Sequence, residues 1–360
     1  MKLKKIDLYI IQKFLFTFFY AISLLITIVI IFDISENIQD FIDKKAPVSA
    51  ILFDYYLNFI PYFVNLFSPL FTFIAVIFFT SKLAGNTEII AILGSGVSYR
   101  RLLVPYIVSA IVLALMSFYL TNFLIPHTNQ NMQDFKDTYI SKRVRNKGRD
   151  MHVKIGHNSF VYLEQWDNDN RMGFNFTYEN MSFDEMNYKI VAQSITWDST
   201  SQVWTLNNYI KRYAHKLDEH YEMGTKMDTL MNITPNDFVV IRDEMETMNY
   251  KELRDHIKNE HSKGSDSVKF YEVEKHRRIA FPFSTVILTI IGFAVASRKS
   301  RQGMGAHLLM GLLISFSFIL FMQITTVFAT YGNLSPIIAV WIPNVLYLGI
   351  SLYLVYKAPK

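Results

Sequence analysis

The chain has 360 residues, of which 51% are apolar and 15% aromatic, and its mean hydropathy is positive. This composition is too apolar for an ordinary soluble protein and too polar for membrane helices alone, so we expect both parts in one chain. A net charge of +5 is too small to indicate a nucleic-acid partner. The absence of cysteine excludes disulfides and thiolate metal sites.

Long uncharged runs divide the sequence into membrane and non-membrane parts. A bilayer core about 30 Å thick requires about 20 apolar residues of helix. The first run follows four lysines, as a signal peptide would, but it exceeds a signal core and no small-residue cleavage site follows it. We therefore predict six membrane helices, three on each side of a long insert, around residues 14–32, 55–81, 102–126, 279–297, 307–330 and 336–356.

The charges of the short loops predict the orientation. Four lysines lie at the amino end, and Lys82, Arg100 and Arg101 outnumber Glu88 in the loop between the second and third spans. The loop at 298–301 and the carboxyl end are also basic, whereas the loop predicted after the first span is mostly acidic. Because basic loops remain in the cytoplasm, we expect both termini there and residues 127–278 outside.

The insert shows the alternation of apolar and polar residues that is typical of strands. Residues 189–198 and 202–210 are predicted as paired strands, with Trp197, Trp204 and Leu206 facing inward. Several such strands favour an antiparallel sandwich or an open jelly roll. Residues 249–258 are predicted as an amphipathic helix that buries Leu253 and Ile257.

These patterns predict a membrane α-helical protein with an inserted all-β domain, sandwich or jellyroll-like, on the outer side of the membrane. Transmembrane helices 1–3 would occupy residues 1–126, with a short cytoplasmic helix at about 86–94. The β domain would occupy 127–248, a linker helix 249–278, and transmembrane helices 4–6 residues 279–360.

The sequence lacks the residue patterns of several kinds of chemistry. It has no phosphate-binding loop, no nucleophile elbow and no H-E-x-x-H motif. The spans also lack interior charged residues, which an ion-coupled transporter usually carries near mid-membrane. We therefore expect no catalytic residue, metal site or cofactor in this chain, and an external energy source for any transport.

The short cytoplasmic helix has two interpretations. Asn86 is predicted as its N-cap, Glu88 as a first-turn acid that favours the helix dipole, and Gly94 and Gly96 as its end. In one interpretation the helix is a connector on the inner leaflet, and Glu88 stabilises only its own helix. In the other it is a coupling helix that fits a groove of a separate ATPase subunit.

Four segments resemble the lipopolysaccharide-export permease family LptF/LptG, also called YjgP/YjgQ. They are NTEIIAILGSGVSYRRLLVP, NYKELRDHI, YEVEKHRRIAFPFSTVILTIIGFAVASRKSRQG and LSPIIAVWIPNVLYLGISLYL. The order of three spans, a β insert and three spans is similar to that family as well. The resemblance implies a permease subunit of the bacterial inner membrane that extracts lipopolysaccharide and passes it to a periplasmic bridge of β-jellyroll proteins.

The resemblance also implies partners and site residues. A homologous permease subunit would complete a hetero- or homodimer, and a cytoplasmic ATPase dimer would bind ATP and Mg²⁺. The positions that would face the ATPase in this sequence are Asn86, Glu88, Ala91, Gly96 and Ser98, flanked by Arg100 and Arg101.

Basic residues at the predicted outer end of the fourth span form the candidate lipid-phosphate site. Lys275, Arg277 and Arg278 would contact lipid A phosphates, or else only ordinary headgroups. The family places further basic residues near the outer half of the first span; here that region is acidic until Lys44 and Lys45. The basic run at 142–149 is either a solvated entry to the β domain or a second phosphate contact.

Two other functions remain open from the sequence. The same fold can carry another envelope lipid or a lipoprotein, because a fold does not determine its cargo. A membrane-anchored sensor or scaffold that binds an envelope ligand is the alternative from a different class.

Overall fold

The computed structural model describes residues 4–140, 149–156, 158–167, 170–182, 185–199, 201–215, 218–231, 233–235, 245–263, 268–297 and 303–358. The chain divides into two compact units. One comprises Met1–Ile140 and Glu272–Lys360, and the other comprises Ser141–Tyr271. We call them the membrane unit and the β unit.

Within the described residues, six helices are long and apolar enough to cross a membrane, which confirms the predicted membrane helical fold. A seven-residue helix, α3, lies between the second and third of them. In chain order the helices used below are α1 (Lys5–Asp43), α2 (Val48–Gly85), α3 (Glu88–Gly94), α4 (Tyr99–Tyr139), α5 (Tyr250–Lys263), α6 (Val268–Ala296), α7 (Gly303–Thr330) and α8 (Pro336–Tyr356).

Helix α1 extends well beyond the apolar run that predicted it. The acidic stretch after residue 32 was predicted as a loop, and this prediction is wrong, because the helix continues to Asp43. Contacts with other helices stabilise the extension. The hydroxyls of Tyr55 and Tyr56 on α2 donate to the Asp33 carboxylate at 3.1 and 3.0 Å, and Phe41 packs edge-on against Phe135 of α4.

Contacts between helix ends show which ends lie together. The Tyr99 hydroxyl at the start of α4 lies 3.0 Å from Ser297 Oγ at the end of α6. Ser81 Oγ near the end of α2 lies 3.0 Å from His307 Nδ1 near the start of α7. Ala358, just after α8, belongs to the apolar core that also contains the first turns of α1. These helix ends and α3 therefore share one side of the membrane unit, which we call the α3 end.

Glycines let α6 and α7 pack closely against α2. A Cβ on Gly311 of α7 would lie 2.1 Å from Ile77 Cδ1, and one on Gly292 of α6 would lie 3.0 Å from Val76 Cγ1. Small residues at such contacts are the usual means by which membrane helices approach each other. Helix α2 therefore contacts both α6 and α7 in the interior of the membrane unit.

The six described strands of the β unit form one antiparallel sheet. Each strand pairs with its neighbour in sequence, so the sheet order is β1 to β6. The pairing of β4 with β5, in which Trp197 lies opposite Trp204, confirms the predicted pair of strands. The strands are β1 (Arg149–Gly156), β2 (Ser159–Asp167), β3 (Met172–Ser182), β4 (Glu185–Asp198), β5 (Val203–His215) and β6 (Asp218–Thr229).

A crease crosses the four central strands at one level. In each of these strands, two neighbouring buried residues are three positions apart, whereas a regular strand places them two apart. The alternation of inward and outward side chains therefore shifts by one residue at the crease. Asn175 and Asn208 lie at the crease with φ of 51° and 49°, a left-handed conformation that asparagine adopts more readily than most residues. The buried pairs that flank the crease are Leu163 and Trp166, Gly173 and Phe176, Ala192 and Ile195, and Leu206 and Tyr209.

The crease folds the sheet over its own inner face. Trp166 on β2 and Trp204 on β5 have ring centroids 5.8 Å apart, whereas three strand spacings in a flat sheet would separate them by about 14 Å. Trp204 and Leu206 are fully buried, as predicted, and Trp197 is partly buried against the same core. The predicted inserted β domain is therefore confirmed, with its core enclosed by one bent sheet.

Candidate functional site

The connection from α2 to α3 holds Glu88 by a local contact. Asn86 was predicted as the N-cap of α3, but the N-cap is Thr87, whose φ of 62° turns the chain sharply between the two helices. Asn86 instead follows the last turn of α2, and its amide Nδ2 donates to Glu88 Oε1 at 3.1 Å. Two of the predicted site residues are thereby brought together, and the Glu88 carboxylate is oriented at the start of α3.

Helix α3 has a buried face and an exposed face. Ile89 is 2% exposed and packs in the core with Ile10 and Tyr99. Ile90 is 55% exposed and Ala91 is also exposed. The helix is therefore fixed on the bundle along one side, while the other side presents an apolar patch next to Glu88.

The loop after α3 is built for a tight return into α4. Gly96 has a φ of 88°, a conformation that favours glycine. Ser98 is the N-cap of α4, and its hydroxyl accepts a hydrogen bond from the Arg101 backbone N–H. The predicted positions Gly96 and Ser98 are both exposed, and both have local structural roles in this turn.

The two adjacent arginines after this loop differ in environment. Arg100 is exposed. Arg101 forms a bidentate ion pair with Asp7 on α1, in which Nη1 donates to Oδ1 at 2.8 Å and Nη2 donates to Oδ2. The Asp7 side chain is only 3% exposed. Arg101 therefore connects α4 to α1, and Arg100 is the arginine whose side chain lies on the surface.

The basic residues of α6 are also unequal. Glu274 accepts hydrogen bonds from Arg277 Nε at 2.9 Å and from Arg278 Nε at 3.0 Å. The Arg278 side chain is 3% exposed, whereas that of Arg277 is 45% exposed. Arg277 is therefore accessible to a ligand phosphate, whereas Arg278 is buried and binds Glu274 inside the unit.

The remaining candidate phosphate residues are surface groups. Lys44 and Lys45 are exposed in the turn directly after α1, whereas the arginines lie on α6. Lys275, also on α6, is partly buried. The basic loop at 298–301 and residues 142–148 of the basic run lie outside the described residues.

The β unit has an open pocket of about 200 Å³ on its inner face. All six strands contribute to its lining, from both sides of the crease. The residues that line it are Ile155, Ser159, Phe176, Tyr178, Tyr188, Ile190, Leu206, Thr229, Leu230 and Met231.

No group of three or more histidine, aspartate or glutamate side chains in the described parts of the chain is arranged to hold a metal ion. The notable acids act as ion-pair or hydrogen-bond partners instead. Glu274 could have been found from the sequence, because it precedes two arginines at the helical spacings of three and four residues. Asp7 gave no such signal, since its partner lies 94 residues away.

Known relatives match the chain over most of its length. It is 21% identical over 309 residues to the lipopolysaccharide export system permease protein LptG of Escherichia coli strain K12, which covers 84% of each chain. An uncharacterized protein of Rickettsia prowazekii is 22% identical over 307 residues, 81% of this chain and 79% of its own length.

The family described as the lipopolysaccharide export system permease LptF/LptG matches residues 8–357. The match runs from the first turn of α1 to the end of α8, and so includes both units. The chain therefore belongs to the LptF/LptG family of lipopolysaccharide export permeases.

Proposed function

We propose that this chain is the permease subunit of an ATP-driven transporter that extracts lipopolysaccharide from the inner membrane and passes it to a periplasmic β-jellyroll bridge. The family is the membrane component of a transporter and not an enzyme. In our proposal a separate cytoplasmic ATPase dimer binds ATP and Mg²⁺, and this chain carries no cofactor. A homologous permease subunit, identical or related, completes the membrane part.

The exposed face of α3 is the observation that carries this proposal. Ile90 and Ala91 present an apolar patch beside the oriented carboxylate of Glu88, which fits a groove that has an apolar floor and a basic rim. Ile89 holds the opposite side of the helix in the bundle core. Pressure on the exposed face would therefore move the helix ends that α3 connects.

We place the α3 end of the membrane unit in the cytoplasm, with both termini, and the β unit in the periplasm. The contacts at the α3 end support this arrangement, because they gather helix ends that flank the basic loops. The excess of Lys and Arg in those loops favours the cytoplasmic side. The protein would then be a multi-pass protein of the bacterial inner membrane.

On the lipid side, we propose that Arg277 is the main phosphate contact, assisted by Lys275, Lys44 and Lys45. The exposure of the Arg277 guanidinium supports this role, whereas Arg278 contributes by holding Glu274. We also propose that the pocket on the inner face of the β unit contacts acyl chains on the way to the bridge. A permease for another envelope lipid or a lipoprotein would use the same arginine and pocket. A sensor or scaffold would need neither the arginine nor the pocket.

The test is a charge reversal at Glu88. Glu88→Lys should abolish co-purification of the ATPase with the permease in mild detergent, because the basic rim of the groove would then meet a like charge. Glu36→Lys on α1 makes the same change at an exposed residue of the opposite helix end and should leave association intact. Mass spectrometry of the purified complex identifies the bound chains.

Unchanged ATPase association in Glu88→Lys, with the protein still folded, would contradict docking through α3. Lipid specificity needs a separate experiment, in which a photo-crosslinker at position 277 is used during active transport. An adduct with lipopolysaccharide supports the proposed cargo, and an adduct with another lipid alone would favour the alternative permease.

A further inference from the structure

The cytoplasmic start of α1 is attached to α4 by an ion pair between two distant parts of the sequence. Asp7 lies in the first turn of α1, where it also accepts a hydrogen bond from the Lys4 backbone N–H at 2.7 Å. Both carboxylate oxygens are engaged by the Arg101 guanidinium. This bidentate geometry fixes the angle between the two groups as well as their distance.

Arg101 is close to α3 along the chain. It lies in the first turn of α4, and its backbone N–H is held by Ser98 in the loop that follows α3. That loop contains Gly96, so α3 and α4 are joined by a short turn. A displacement of α3 therefore reaches Arg101 directly.

Helix α1 is the least buried of the six apolar helices of the membrane unit. Only 22% of its most apolar window is buried, compared with 67% for α6. At the α3 end it is held by apolar side chains, among them Ile10, Phe14 and Phe18, and by the ion pair. At its far end Asp33 and Phe41 contact α2 and α4. Apolar side chains can shift against each other more easily than a bidentate pair can, so the pair limits the rotation of α1 at this end.

We propose that the Asp7–Arg101 pair is a positioning contact that transmits the movement of α3 to α1, and that lipid release, but not ATPase docking, depends on it. This inference rests on the proposed function, because it takes α3 as the ATPase contact. Beyond that function, we infer that α1 is the membrane helix that moves with α3, and that the Asp7–Arg101 ion pair connects the two movements.

The decisive variant is Arg101→Lys, which keeps the positive charge but loses the bidentate fork. In the complete complex in proteoliposomes, ATP-driven release of lipopolysaccharide should fall about tenfold, the typical size of a lost coupling between sites. ATPase co-purification and the melting temperature should stay close to wild type. Lys13→Gln, at an exposed residue of α1, is the matched control and should release lipid normally.

Asp7→Asn provides the second variant, since it removes the charge with little change in shape. It should show the same loss of release while the bound ATPase still hydrolyses ATP. The exchanged pair Asp7→Arg with Arg101→Asp should release more lipid than either single exchange, because it restores opposite charges.

Three results would overturn the inference. The first is normal lipid release in Arg101→Lys. The second is loss of ATPase association in the same variant, which would make Arg101 a docking residue. The third is a loss of release that only follows the loss of thermal stability across the variants, which would make the pair structural. If wild-type permease itself binds no ATPase, the proposed function fails, and that result is distinct from these three.

Discussion

Two pairs of adjacent arginines lie at opposite ends of the membrane unit. Arg100 and Arg101 follow α3, whereas Arg277 and Arg278 precede the end of α6 by about 28 Å of helix. The end of α6 meets the start of α4 through Ser297 and Tyr99, which places the pairs on opposite sides. In each pair one arginine is more exposed than the other. Arg101 engages the buried acid Asp7, whereas Arg277 and Arg278 both engage the buried Glu274.

The two buried contacts differ in what they connect. Arg278 binds Glu274 on its own helix, so the contact neutralises a local charge and moves with α6 as one body. Arg101 binds Asp7 on another helix, so the contact resists movement between α4 and α1. Two adjacent arginines at the end of a membrane helix therefore do not by themselves indicate a ligand site. The acid that each arginine binds has to be known first.

The largest effect should come from removing the acid of the α6 group. Glu274→Gln removes the carboxylate that the buried Arg278 binds, and loss of one partner of a buried ion pair costs about 3–5 kcal/mol of unfolding free energy. Thermal and denaturant unfolding of the purified protein in detergent measures the change. Lys275→Gln on the same helix is the control and should have a much smaller effect.

A double variant separates charge from packing at this position. Glu274→Leu with Arg278→Met removes both buried charges and should recover most of the lost stability, because apolar replacements of buried pairs are often neutral. If the double variant were less stable than Glu274→Gln, the contact would contribute through its hydrogen bonds and shape rather than by charge balance.

A smaller effect on stability is expected at the α3 end. Arg101→Ala should lower the melting temperature, because Asp7 is then left buried without its partner. The loss should be less than that of Glu274→Gln, since the Arg101 side chain is 24% exposed and its end of the bundle borders solvent. Arg100→Ala is the matched comparison, and its melting temperature should equal that of wild type.

The smallest difference concerns lipid contact. A photo-crosslinker at position 277 should give a clear lipopolysaccharide adduct during transport, and one at position 278 should give little, because the side chain at 278 points into the unit. Gel analysis of the adducts with an antibody to lipopolysaccharide provides the measurement. Stronger labelling from 278 than from 277 would reverse the assignment of the two arginines.

Much of the fold could be predicted because its signals are local. Uncharged runs predicted the six spans, and alternation predicted the paired strands around Trp197 and Trp204. The extension of α1 to Asp43 could not, since it depends on Tyr55 and Tyr56 donating to Asp33 from another helix. The crease could not be predicted either. In the sequence of a single strand, a one-residue shift of the apolar alternation is indistinguishable from the end of the strand.

The candidate site shows the same limit. The position of α3 and the acid in its first turn followed from residue spacing. The N-cap was assigned to Asn86 because of its residue type, but a tight turn placed Thr87 there in a left-handed conformation. Contacts between remote segments, of which Asp7 with Arg101 is the clearest, leave no trace in a single sequence.

We propose that α3 and the β unit lie on opposite sides of the membrane, and single-cysteine labelling tests this proposal most directly. The chain has no cysteine, so Ile90→Cys and Met223→Cys, at side chains that are 55% and 70% exposed, each provide one reactive site. In cells with a permeable outer membrane, an impermeant thiol reagent should label position 223 at once and position 90 only after the inner membrane is opened. Labelling of both positions from outside would contradict the account, because α3 could not then reach a cytoplasmic ATPase.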